Sequence, residues 1–232
     1  MAAIYLIRHG QASFGQANYD ALSALGKRQS QVTGEGLAKR GVRFDRIIHG
    51  GLVRHQETAD HCVQGMNYPA DAPRYQIDER FSEYNHQEVI ARHKPELECH
   101  QSMAQYLAQQ QSPRKAFQSL FAEAIQRWMS GDYDHEYGES WQGFQQRCAD
   151  GLRDLIQDGA HRHVAIFTSG GPISITVQNL LGLSNDQAIQ LSWAIVNGSV
   201  TKLLFKHGRV SLSYFNDYGF LEQTDPDLVT YR

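Results

Sequence analysis

Ile4-Tyr5-Leu6-Ile7-Arg8-His9-Gly10 reads as a short buried strand that ends in an arginine, an imidazole and a glycine. Four apolar residues in a row suit a strand covered on both faces. The two chemically active side chains then stand at the strand's carboxyl end, which in open α/β sheets is the edge where ligands bind. Arg8 also interrupts the apolar run before it can serve as a signal-peptide core, and no other run approaches a membrane span. The expectation is a cytoplasmic protein with no membrane partner.

Working outward from this strand, Ser23 stands as the N-cap of a helix running to about Arg40, with Gly41 as its stop. A second strand, Arg46–His49, ends at Gly50-Gly51 and passes into a helix from about Leu52 to Gln64. A third short strand lies near Arg74 to Asp78. Strand, helix, strand, helix, strand is the rhythm of a parallel sheet covered by helices. The rhythm returns late in the chain. His163–Thr168 is a buried strand running into Ser169-Gly170-Gly171-Pro172 and another helix, and Ser184-x-x-Gln187 spells a capping box. Gly198 to Lys206 and Arg209 to Tyr214 form the last strands, joined by a hairpin turn at His207-Gly208.

Between Ser82 and Gly138 the rhythm stops. Pro95 and Pro113 each mark a helix start, with Gln109 to Ser112 as a connecting turn. Leu97, Met103, Tyr106 and Leu107, then Phe117, Leu120, Phe121 and Ile125, recur at helical spacing. A long amphipathic helix follows from Ser140 to about Gln157. The fold expected is a single α/β domain over residues 1–232. It has a mostly parallel sheet flanked by helices on both faces and a helical cap inserted at about residues 84–138.

Composition narrows the function. The chain has 232 residues, 41% of them apolar and 20% charged, with a formal net charge of −3, which suits a globular enzyme and not a nucleic-acid binder. Cys62, Cys99 and Cys148 cannot all pair and show no metal-ligand spacing, so they read as reduced thiols. His86, His93 and His100 recur every seventh residue, but Pro95 interrupts them and no metal site is expected. His161 and His163 read as surface residues. Trp128, Trp141 and Trp193 read as packing residues, while Tyr84 and Tyr133 are candidates to face a substrate.

Four segments leave strand ends: Arg8-His9-Gly10, Gly50-Gly51-Leu52-x-Arg54, Glu79-Arg80-Phe81-Ser82-Glu83 and Thr168-Ser169-Gly170-Gly171. Together they offer arginines, imidazole, carboxylates, hydroxyls and glycine backbones, a set that suits a phosphoryl group. A guanidinium presents a planar fork to phosphate oxygens, and an imidazole nitrogen can attack phosphorus. Helix N-termini after Gly51 and Gly171 add backbone donors. Glu79 competes with Glu83 for the acid's role on residue type alone.

The same segments resemble the histidine phosphatase superfamily, which includes the cofactor-dependent phosphoglycerate mutases. Arg8-His9-Gly10 matches the opening signature, Leu22-Ser23-x-x-Gly26-x-x-Gln29 the helix start that follows, and Leu52-x-Arg54-x-x-x-Thr58-Ala59 the second phosphate-binding segment. Phe81-x-Glu83, Gly138-Glu139-Ser140 and Asn197-Gly198-Ser199-Val200 match later motifs in order. The resemblance implies that His9 attacks the phosphoryl group, that Glu83 protonates the leaving oxygen, and that Arg8, Gly10, Arg54, Ser169 and Gly170 bind phosphate. No metal or other cofactor is implied. The family usually carries a second histidine in a Ser-His-Gly-Gly segment, where this chain has Thr168-Ser169-Gly170-Gly171. His49 and His86 are candidates to fill that gap.

The resemblance thus implies a metal-independent phosphatase of a small phosphorylated metabolite, the cap restricting access. Two alternatives stay open. One is a mutase-type phosphotransferase, although Gln11-Ala12-Ser13-Phe14 departs from the Glu-Ser continuation usual in mutases. The other is a phosphate-ligand binding protein weakened in catalysis by Ser169. The sequence leaves monomer and homodimer equally open.

Overall fold

Alternate residues of β1 (Ala2–Arg8) feed two different cores: Ala3, Tyr5 and Ile7 pack on one side, Ile4 and Leu6 on the other. That is what an unbroken apolar run does in a strand, where successive side chains point to opposite faces. The computed structural model describes residues 2–13, 20–68, 73–159, 162–206 and 208–231. Phe14, His161 and His207 lie outside the described residues. After β1 come α1 (Ala24–Lys39), β2 (Arg46–His49), α2 (Val53–Gly65) and β3 (Tyr75–Ile77). Then come α3 (His86–His93), α4 (His100–Ala108), α5 (Pro113–Met129) and α6 (Trp141–Asp158). The chain continues with β4 (His163–Thr168), α7 (Gly170–Leu181), α8 (Asn185–Ala194), β5 (Val200–Lys206), β6 (Arg209–Asp217) and α9 (Gly219–Thr224).

The strands form one six-stranded sheet in the order β3-β2-β4-β1-β5-β6. β1, β2, β3 and β4 pair in parallel, β5 runs antiparallel to β1, and β6 antiparallel to β5, so β5 is the reversed strand. Helices cover both faces. Val32 and Leu37 of α1, Ala59 and Cys62 of α2 and Phe220 of α9 pack with Tyr5, Ala165 and Phe167. Leu152 and Leu155 of α6 and Ile173 of α7 pack with Leu6, Ile48 and Ile166 on the other face.

Local chemistry sets the element ends. Ser23 Oγ accepts the Gly26 N–H at 3.0 Å, and Gly41 leaves α1 with φ +72°, a conformation glycine adopts without penalty. The capping box of Ser184 and Gln187 opens α8 as its sequence requires. Between α1 and α2, a Cβ on Gly34 would lie 2.0 Å from the Cys62 carbonyl oxygen, so only glycine permits that approach.

The chain forms two compact units, Met1–Glu83 with Arg147–Arg232, and Tyr84–Gln146. The second is helical and organised by aromatic rings around Trp128, whose centroid lies 4.9 Å from Tyr84 and 5.1 Å from Trp141. Its Nε1–H donates to the Glu139 carbonyl at 2.8 Å. Several local expectations are corrected. Pro95 opens only a 3-10 turn, Pro95–Leu97, and α4 starts at His100, capped by Cys99. Before it, α3 is capped by Asn85, whose side chain accepts the Glu88 N–H. Trp193 is 49% exposed and is therefore not a core residue. Tyr84 is taken up in the aromatic cluster, while Tyr133 lies over the Arg127 guanidinium, 3.8 Å from ring centroid to carbon.

Candidate active site

The parallel pairing of β1 with β4 brings two of the glycine-bearing strand ends side by side. Arg8 is in register with Thr168, and the His9 N–H donates to the Thr168 carbonyl at 2.9 Å, so His9 follows β1 where Ser169 follows β4. Gly10 then turns the chain against α1, where a Cβ would lie 2.3 Å from the Gly26 carbonyl oxygen. Its N–H donates to Thr58 Oγ1 at 3.1 Å, tying the turn to α2. The His9 carbonyl accepts from Asn197 Nδ2 at 3.1 Å and from the Gly198 N–H at 3.3 Å.

These bonds leave the imidazole of His9 in a defined state. Its Nδ1 lies 2.7 Å from the Gly10 carbonyl oxygen, which can only accept, so Nδ1 carries the proton and Nε2 presents its lone pair. Burial pushes the pKa of His9 well below its usual value, and the charges of Arg54 and Arg8 push the same way, with His55 adding to them. An imidazole kept neutral among cations is a competent nucleophile.

The two arginines are held differently. Arg8 donates through Nη1 to the Ile195 carbonyl, and through Nη1 and Nη2 to the Tyr231 carbonyl at 3.3 Å. Among the described residues its buried Nε has no hydrogen-bond partner. Burial lowers its pKa to about 10, with Glu83 opposing and Arg54 adding to the shift. Arg54, in the first turn of α2, pairs with Asp20 Oδ1 at 2.5 Å, and Asp20 Oδ2 accepts the Val53 N–H at 2.8 Å. One carboxylate thus orients the guanidinium and caps the helix that carries it.

Glu83 Oε2 accepts the Gly171 N–H at 3.1 Å, at the first turn of α7. Glu79, its competitor on sequence grounds, is exposed. It lines a cavity of about 430 Å³ with Gly50, Gly51, Leu52, Arg80, Ser82 and Arg147. Gly170 sits where a Cβ would come within 3.1 Å of the Ser192 carbonyl and 3.9 Å of Arg8 Nε.

Ser169 is fully buried, and its Oγ lies 2.7 Å from Nε2 of His55, which is also fully buried. The His55 and His9 rings have centroids 5.8 Å apart. Burial holds the pKa of His55 well below its usual value, and Arg54 and His49 push it further the same way. This residue was missed in reading the sequence, although it directly follows Arg54. Of the two histidines suggested there, His49 takes the Gly51 N–H on its Nδ1 at 3.3 Å, and His86 opens α3 in the helical unit. The histidine that meets Ser169 is His55. Among the described residues no group of three or more His, Cys, Asp or Glu could hold a metal ion, and Cys62, Cys99 and Cys148 form no disulfide with one another.

The chain belongs to the histidine phosphatase superfamily (branch 1), whose family model matches residues 4–218. Among curated proteins it is similar to the mitochondrial serine/threonine-protein phosphatase Pgam5 of Drosophila ananassae, 36% identical over 67 residues, which is 28% of this chain and 23% of that protein. The rat counterpart is 41% identical over 59 residues, 25% of this chain and 20% of the relative. The match therefore spans no more than about a quarter of those relatives' length. Among solved structures the fold is shared with a mutant phosphoserine phosphatase from Entamoeba histolytica in complex with phosphoserine. That match has a TM-score of 0.64 and 19% identity, covering 95% of this chain and 100% of that one. It is shared too with phosphoglycerate mutase from Bacillus anthracis str. Sterne, with a TM-score of 0.63, 16% identity and 96% of each chain covered. Among the described residues no helix is long and apolar enough to cross a membrane.

Proposed function

We propose that this protein is a metal-independent phosphomonoesterase that works through a phosphohistidine at His9. The observation that carries the reading is the bond from His9 Nδ1–H to the Gly10 carbonyl at 2.7 Å, which aims a neutral Nε2 lone pair out of a site bearing Arg8 and Arg54. In the first step Nε2 attacks phosphorus, the ester P–O bond breaks, and the Glu83 carboxyl gives its proton to the leaving oxygen. In the second, water attacks the phosphorus, gives a proton to the Glu83 carboxylate, and the P–N bond breaks to release phosphate and regenerate His9. Arg8 and Arg54 balance the charge that spreads over the phosphoryl oxygens.

The substrate class proposed is a small phosphorylated metabolite. His9 is only 8% exposed, a depth that suits a compact ester better than a residue on a protein surface. The relatives' description as serine/threonine-protein phosphatases makes a phosphopeptide the competitor to include. Gln11-Ala12-Ser13 after the opening signature supports hydrolysis over phosphate exchange. Three cysteines that form no disulfide with one another fit a reducing compartment such as the cytoplasm.

The test is release of product from p-nitrophenyl phosphate, a panel of phosphorylated metabolites and a phosphoserine peptide, with and without EDTA. Wild-type turnover should be insensitive to EDTA and fall at least about a thousand-fold in His9→Ala. Isomerisation of 3-phosphoglycerate with a bisphosphorylated primer and no phosphate release would replace the hydrolase by a mutase.

A further inference from the structure

Ser169 is the N-cap residue of α7, in extended conformation, yet its hydroxyl makes no capping bond to the helix. A serine in that position ordinarily turns its oxygen onto the N–H groups of the first turn. Here Oγ instead meets His55 Nε2 at 2.7 Å; of the two capping positions, the Gly171 N–H is used on Glu83 and Pro172 has no N–H to offer. His55 is just as unusual if it is only packing. It is fully buried, 114 residues from Ser169 in the chain, and among the described residues its Nδ1 has no partner in full hydrogen-bonding geometry, the Gly50 backbone lying beside it. A buried imidazole that serves the core alone would be expected to satisfy both nitrogens. Among the described residues this one makes its well-formed hydrogen bond to a hydroxyl beside the nucleophile, with only the Gly50 backbone near its other nitrogen.

We propose that His55 and Ser169 act as one phosphate donor, His55 Nε2–H donating to Ser169 Oγ so that the Ser169 O–H turns to a non-bridging oxygen of the phosphoryl group. A hydroxyl has one proton and two acceptor lone pairs; once the imidazole fills a lone pair, the proton is left for the anion. Two hydrogen bonds in series polarise each other, so the serine donates more strongly than it would alone. The neutral state of His55 provides the N–H without adding a third cation. Ser169 is then the residue that touches substrate, and His55 is its positioning residue. The proposal rests on reading His9 as the nucleophile of a phosphoryl transfer.

The experiment compares wild type, Ser169→Ala, His55→Ala, His55→Gln and the two doubles that join Ser169→Ala to each His55 change. It measures kcat and KM on p-nitrophenyl phosphate, orthophosphate affinity by calorimetry and thermal melting. Each alanine variant should lose about ten- to a hundred-fold in kcat, in the range of losing one transition-state donor, with KM little changed. The doubles should be no slower than Ser169→Ala alone, because the pair acts as a unit. His55→Gln, which retains an N–H at similar reach, should recover most of the His55→Ala loss. Losses that multiply in the doubles, or a glutamine variant as slow as the alanine, would overturn the relay and leave His55 as a space-filling group. If His55→Ala melts too early to assay, His55→Asn, whose shorter side chain withdraws the N–H from Ser169, takes its place in the cycle. Should the wild type release no more product than His9→Ala, the phosphatase reading fails by itself. The relay is then judged on orthophosphate: equal, non-additive weakening by Ser169→Ala and His55→Ala, with His55→Gln near wild type, supports it, and unchanged affinity overturns it.

Discussion

Arg8 and Arg54 bring the same cation to the same strand ends and are held there by opposite means. Arg8 is half-buried and tethered to the main-chain carbonyls of Ile195 and Tyr231, which orient it without cancelling its charge. Arg54 is tethered to the Asp20 carboxylate, which orients it and neutralises it. A carbonyl tether makes an arginine part of the fold; a carboxylate tether makes it a group whose charge is released only when something displaces the partner. On the proposed phosphatase reading, the difference divides two roles between them, with anion affinity resting on Arg54 and structural stability on Arg8, although either arginine alone looks like a phosphate clamp.

The largest effect that sharpens this comparison comes from removing each arginine. Arg54→Ala should lower kcat/KM by about a hundred- to a thousand-fold, as loss of a transition-state donor does, with melting near that of wild type. Arg8→Ala should lose as much activity and also melt earlier. The part-buried Ile195 carbonyl loses its donor there, at a cost of about 1–3 kcal/mol if left unsatisfied, while the exposed Tyr231 carbonyl can turn to water. Equal melting temperatures for the two variants would break the comparison.

The next effect concerns the neutral imidazoles that the two arginines face. His9 and His55 have pKa values well below 6.5 in the folded chain, chiefly through burial, while the unfolded chain takes up their protons near that value. The unfolded state therefore binds more protons below pH 6.5, and stability present above it is lost as pH falls toward the folded values. Urea midpoints should drop as pH is lowered from about 7 to about 5, and the slope should be shallower in a His9→Ala, His55→Gln double variant. A slope unchanged by those substitutions would assign the acid sensitivity to other groups.

The smallest effect tests the carboxylate tether. Asp20→Asn keeps the shape and a hydrogen-bonding oxygen but removes the charge that competes for Arg54. Orthophosphate affinity should rise, by up to about fivefold given the value of partly exposed ion pairs, while kcat falls because the guanidinium loses its aim. A fall in affinity would mean that Asp20 serves only to orient.

The sequence carried the fold through local signals. The apolar run before Arg8, the Ser23 cap with Gly41 as stop and the Ser184–Gln187 box all act within a few residues, and the elements formed where those signals lie. The Asn85 cap of α3 was equally local but stood beside Pro95, whose stronger mark led to a helix start where only a 3-10 turn forms. What was not legible is the set of long-range tethers. Tyr231 reaches Arg8 across 223 positions, Ser169 reaches His55 across 114, and Asp20 reaches Arg54 across 34. No periodicity or spacing encodes such pairs; they follow from which strand ends the sheet order makes neighbours. The sequence thus names the groups at the strand ends and leaves unstated what holds them.

The central claim is tested most directly by trapping the covalent intermediate. Wild-type protein is mixed with a phosphorylated substrate, quenched in alkali within milliseconds to seconds, digested and mapped by mass spectrometry. The account expects an acid-labile, base-stable phosphoryl group on the peptide carrying His9, absent from His9→Ala. A phosphoryl group on Ser169, or turnover at full rate in His9→Ala, would contradict it.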